Sequence, residues 1–144
     1  MKLKKITALF AAIIMVASVF TCALPTNAAV PTPAIQVGTG TYSSYKVTGY
    51  RSVNSSTQMS GRAKANAKAT RIATTIVVRN VNSSGTVKPT GGVPDKGVDN
   101  SADSGIAYIT SGSGNHFKWV QIFYAAMYHN NLDHTAYTEY YHTF

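Results

Sequence analysis

All four histidines (His116, His129, His134 and His142), the single tryptophan Trp119 and five of the nine tyrosines fall between residues 115 and 144. His129 and His134 stand five apart around an Asn/Asp-rich stretch, with Asp133 and Glu139 close by. Joined by His116 or His142, they have the residue types of a zinc centre. Such a centre wants three or four convergent ligands and an outer carboxylate to orient the imidazoles. Nothing in the spacing enforces convergence, and Cys22, the one cysteine, lies far away in the N-terminal apolar run. The expectation is polar strand histidines, with no metal and no cofactor. Their protonation in mild acid would add positive charge to this segment.

Two other patterns fail as chemistry. Asp99 to Gly105 places oxygen side chains at alternating positions, as a calcium loop does. That loop needs Gly sixth and Glu twelfth, where this chain has Ser104 and Thr110, so an Asx-rich turn is the plainer reading. There is no G-x-S-x-G and no H-E-x-x-H, and the chain holds only five carboxylates. The expectation is that the protein is not an enzyme. A wall-glycan hydrolase would need two of those carboxylates, such as Asp133 and Glu139, to face each other.

Binding is the stronger theme. Arg62, Lys64 and Lys68 share one parity, alternating with Ala63, Ala65 and Ala67. This is an electrostatic docking stripe or the solvated face of an amphipathic strand, where edge lysines also prevent unwanted pairing. With Arg71 it would attract an anionic target. Trp119, Tyr140 and Tyr141 would contact that target, since aromatic side chains pair an apolar ring with a polar tip. The competing reading places these rings in the core. Strand alternation sets Tyr137 and Tyr141 on one face and Tyr140, His142 and Phe144 on the other.

The elements that must position these residues begin after residue 28. Lys2, Lys4 and Lys5 precede an apolar run to Leu24, then Pro25 and small residues up to Ala28. This is the pattern of a secretory signal peptide cut after Ala28, with a retained membrane anchor as the rival reading. The chain then has one localisation, secreted. Removing residues 1–28 takes three of the thirteen basic residues, leaving ten against five acids, or +5. Such a charge favours an anionic cell-envelope component or wall precursor as partner. The basic residues form no run of the kind that tracks a phosphate backbone, so nucleic acid is not expected. A homo-oligomer is compatible with the sequence.

Residues 29–40, rich in Pro, Thr and Gly, read as a flexible leader. Residues 41–144 read as a single β domain. Thr41 to Val53 is strand-like, and Ile72 to Val81 more so, being dominated by β-branched residues. Residues 62–70 alternate like a strand, but their alanines admit a helix. A long Gly/Pro loop is expected at 86–104, then a strand at Gly105 to Ser111. His116 to His129 and His134 to Phe144 form a closing hairpin around a turn at Asn130 to Asp133. The fold class is all-β, a small antiparallel β-sandwich or meander of about six strands.

The segment Asn131 to Phe144, with Asn131-Leu132 leading into Tyr140-Tyr141 and a terminal Phe144, resembles the closing segment of the lactococcin 972 family of secreted bacteriocins. Tyr42-Ser43-Ser44-Tyr45 and the apolar run Thr75 to Val78 are similar in style. The resemblance implies a disulfide-free β-sandwich with non-enzymatic antibacterial activity directed at wall synthesis in competing Gram-positive bacteria. It carries over no binding motif. The alternative is a wall- or glycan-binding surface module that does not kill.

Overall fold

The computed structural model describes residues 29–88 and 95–144. The signal-peptide reading of residues 1–28 lies outside them. The described chain is built from eight strands: β1 (Ile35–Tyr42), β2 (Tyr45–Arg51), β3 (Gln58–Asn82), β4 (Val87–Lys88), β5 (Asp95–Asp103), β6 (Ala107–Thr110), β7 (Asn115–Tyr128) and β8 (Asn131–Thr143). Every pairing is antiparallel. The all-β antiparallel class is as the sequence predicts, with eight strands rather than about six.

The spine is β3, a strand of 25 residues, well beyond the usual length of about 3–10. Gly61 pairs with both Arg51 of β2 and Ala107 of β6. Arg71 pairs with both Met127 of β7 and Asp99 of β5. One edge of β3 therefore carries β2 and then β7, while β4, β5 and β6 return along the other. A strand this long can close a core only by bending. Between Lys64 and Ala69, five steps along β3 match only two along β5, from Asp103 to Ser101, and the surplus residues make an irregularity of the kind that bends a strand. The N-terminal half of β3, with β1, β2 and β6, thus folds over its own C-terminal half, with β7 and β8. Gly61 comes to lie against Ile122 and Thr74.

The core fills the gap between the two layers. Val47, Met59 and Ala63 from one side meet Ile72, Ile76, Val78, Phe117, Val120, Ile122 and Tyr124 from the other. Each large apolar side chain buried in this way contributes about 1.5–3 kcal/mol. The same alternation decides segment 62–70 in favour of strand. Ala63 and Ala69 are buried while Lys64, Asn66 and Lys68 are exposed, and Arg62 to Ala65 pair with β2 while Lys64 and Ala69 pair with β5.

Three sequence readings change. Residues 29–40 are not all a flexible leader, because β1 begins at Ile35 and the Ser60 hydroxyl donates to the Pro31 carbonyl. The glycines that suggested looseness mark a close crossing instead: a side chain at Gly40 would collide with the backbone of Tyr137 in β8. The expected loop at 86–104 contains β4 and nine-residue β5. The polar residues of β5 suit an edge, where Asp99 and Asp103 pair with arginines of β3. The closing turn falls on His129-Asn130 rather than Asn130 to Asp133. Tyr128 stands opposite Asn131, and both turn residues have positive φ, 58° and 50°, as a two-residue type I′ turn requires.

Candidate functional site

The ladders sort the expected binding residues onto different surfaces. On the first layer, Tyr50 pairs with Arg62 and Thr48 with Lys64. Directly paired residues share a face, and this face points away from the core. Lys64 Nζ lies 5.7 Å from the Tyr50 ring centroid. Arg62 is not free to meet a target, because its Nε donates to Asp103 Oδ1 at 2.8 Å and a second guanidinium nitrogen donates to Oδ2. That fork holds the Asp103 carboxyl below its ordinary range and raises the guanidinium of Arg62. Lys68 is exposed at the bend.

The second layer turns a different surface outward. Arg79 stands opposite Trp119, which stands opposite Thr143, and Val77, Gln121 and Tyr141 form the next row. The rings of Trp119 and Tyr141 are tilted against one another with centroids 6.0 Å apart. Tyr141 is 56% exposed, more than any other large aromatic among the described residues. Arg79 is exposed, and among the described residues no ion pair engages it. An exposed cation across the ladder from Trp119, with the Tyr141 ring against that tryptophan, makes a platform on which a ring can stack while an anionic group meets the guanidinium.

Below it the same face is apolar, running through Phe123, Ala125, Met127 and Tyr137. Phe123 and Tyr137 stack with centroids 6.3 Å apart. Glu139 is held to this face by Gln121 Nε2 at 3.1 Å and by the Tyr137 hydroxyl at 2.7 Å. Burial, and then the carboxylate it donates to, raise the Tyr137 hydroxyl well above the ordinary phenol range. Arg71 shares this face farther along β3, but its Nη1 donates to Asp99 Oδ1 at 2.9 Å. Thr70, Arg71, Asp99, Asn100, Met127 and Asn130 line a shallow groove of about 450 Å³ there.

Tyr140 belongs to neither surface. It packs on the core with the Arg51 guanidinium 4.6 Å from its ring centroid, and its hydroxyl donates to Asn54 Oδ1 at 2.9 Å. The structure thus brings Trp119 and Tyr141 together, keeps Arg62 and Lys64 on the opposite layer, and turns Tyr140 inward. The sequence reading missed Arg79. Its signal was parity, since Arg71, Ala73, Thr75, Val77 and Arg79 alternate down one side of β3.

The chain matches no protein-family model, no curated protein and no solved structure.

Two chemical alternatives can be weighed on the geometry. Asp133 and Glu139 lie six positions apart on β8, and the regularly paired stretch from Thr135 to Glu139 alone spans roughly 13 Å at about 3.3 Å per residue. Paired glycosidase carboxylates stand within about 10 Å, so these two do not form one. Among the described residues no three His, Cys, Asp or Glu side chains converge. His129 and His134 do meet, with ring centroids 5.6 Å apart, at the turn end of the sheet.

Proposed function

We propose that this is a secreted, cationic, bacteriocin-like protein that binds an anionic cell-envelope component of competing bacteria and disturbs wall synthesis. The observation that carries the binding half is the outward platform of Arg79, Trp119 and Tyr141, which offers both charge and ring surface. A basic chain is drawn to an anionic wall at long range, and the platform makes the short-range contact. Lys64 and Lys68, exposed elsewhere, add attraction without contributing to specificity. The antibacterial half rests on the resemblance of residues 131–144 to the lactococcin 972 family.

A second reading, a non-killing wall- or glycan-binding module of the producer, is favoured by the same outward pair of rings, since stacking on sugar needs no toxic step. Purified residues 29–144 applied to a panel of Gram-positive strains separates the two. Growth inhibition supports the first reading. Sedimentation with the producer's own walls, without inhibition of any strain, supports the second. Neither inhibition nor wall binding removes both.

A further inference from the structure

The turn end of the sheet gathers five rings that the platform does not use. Tyr45 stacks on Tyr128 with centroids 3.9 Å apart, and Tyr42 stacks on His134 at 4.9 Å. His129 stands edge-on to both Tyr45 and His134, at 5.9 and 5.6 Å. The Tyr45 hydroxyl and His129 Nε2 lie 3.5 Å apart. Within this cluster His134 Nδ1 and the Tyr128 hydroxyl are buried and have no hydrogen-bond partner. Buried polar atoms are seldom left so, and of the two the imidazole nitrogen of His134 can coordinate a cation.

The imidazole separation suits one. With metal–nitrogen bonds of about 2.0–2.1 Å, two imidazoles on a single tetrahedral ion have ring centroids roughly 5 Å apart. The pair here is within a small side-chain adjustment of that value. The backbone sets it, because the two-residue turn lifts His129 at φ 58° and β8 brings His134 back toward Tyr42.

We propose that His129 and His134 bind a divalent transition-metal ion of the imidazole-preferring class, zinc or copper, with the Tyr45 phenol as third donor. At a given nitrogen and oxygen donor set copper(II) binds more tightly than zinc, following the usual divalent-metal order. Solvent or a target group completes the coordination. The site is separate from the Arg79 platform and stands or falls independently of it.

Titration of residues 29–144, which hold all eight strands, with Cu²⁺ and with Zn²⁺ by calorimetry tests this. The expected result is one ion per chain, copper tighter than zinc. His129→Gln and His134→Gln should each weaken binding at least tenfold, while His142→Gln leaves it unchanged. His129 is exposed, so His129→Gln keeps the fold and alone suffices as the test. Absence of saturable binding, or equal affinity in His129→Gln and the parent chain, would overturn the proposal.

Discussion

The ring of Tyr124 occupies the space that a side chain at Gly49 would need. The contact joins β2 to β7 across the core, and the Tyr124 hydroxyl reaches through to donate to the Tyr50 carbonyl at 3.0 Å. Tyr124 is thus buried without an orphaned hydroxyl. Gly49→Ala should force the ring or β2 aside and destabilise by about 1–3 kcal/mol, the usual cost of overpacking. Tyr124→Phe, which keeps the ring and removes its hydrogen bond to the Tyr50 carbonyl, should cost about 1 kcal/mol. Combining the two should bring no rescue. Denaturant titration with far-UV circular dichroism measures all three.

The hairpin between β7 and β8 makes a second prediction. Asn130 holds a positive φ of 50° while its backbone N–H donates to Thr70 Oγ1 at 3.2 Å. Glycine adopts that conformation with less strain and keeps the N–H. Asn130→Gly should therefore be neutral or stabilising, by up to about 0.5 kcal/mol. Asn130→Val should destabilise clearly, because a β-branched residue resists positive φ. Thermal melts of the two variants check the sign of each.

The carboxylates on β5 should act oppositely with pH. Asp103 is held below its ordinary range, chiefly by its hydrogen bonds from Arg62. Its contribution is present above the unfolded carboxylate pKa and is lost as pH falls through the lower folded value. Asp95 is raised, chiefly by burial against which the hydrogen bond from Thr75 only partly compensates. Its ionisation disfavours folding above the folded pKa, and that penalty disappears in acid. Asp103→Asn should lower the melting temperature at neutral pH and flatten its fall in acid. Asp95→Asn should raise it at neutral pH and leave it unchanged below the unfolded carboxylate pKa. A melting series from neutral to strongly acidic pH reads both.

Much of the fold was legible from local pattern. The alternation of Ala63 to Ala69 with basic residues marked a strand, and the β-branched run from Ile72 marked its continuation. What escaped was set by distant partners. The glycines of β1 look like loop residues until Tyr137 passes beside Gly40. Residues 95–103 look like loop because their carboxylates find Arg62 and Arg71 only after β3 bends. The candidate site was half legible for the same reason. Parity put Tyr141 and Tyr140 on opposite faces, but only the register of β3 against β7 places Arg79 beside Trp119.

The platform should show its charge and its rings separately. Arg79→Ala should make wall binding less sensitive to salt, because one ionic contact is gone. Trp119→Ala should weaken binding about equally at low and high salt, since stacking is little screened. Cosedimentation with purified walls across a salt series distinguishes these two responses.

The most direct measurement is the affinity of the triple variant Arg79→Ala, Trp119→Ala, Tyr141→Ala for purified Gram-positive walls, beside Lys64→Ala, Lys68→Ala. The platform predicts at least a tenfold loss in the triple variant and a small, salt-dependent loss in the lysine variant, with both chains folded by circular dichroism. A triple variant that binds walls as tightly as the parent would contradict it.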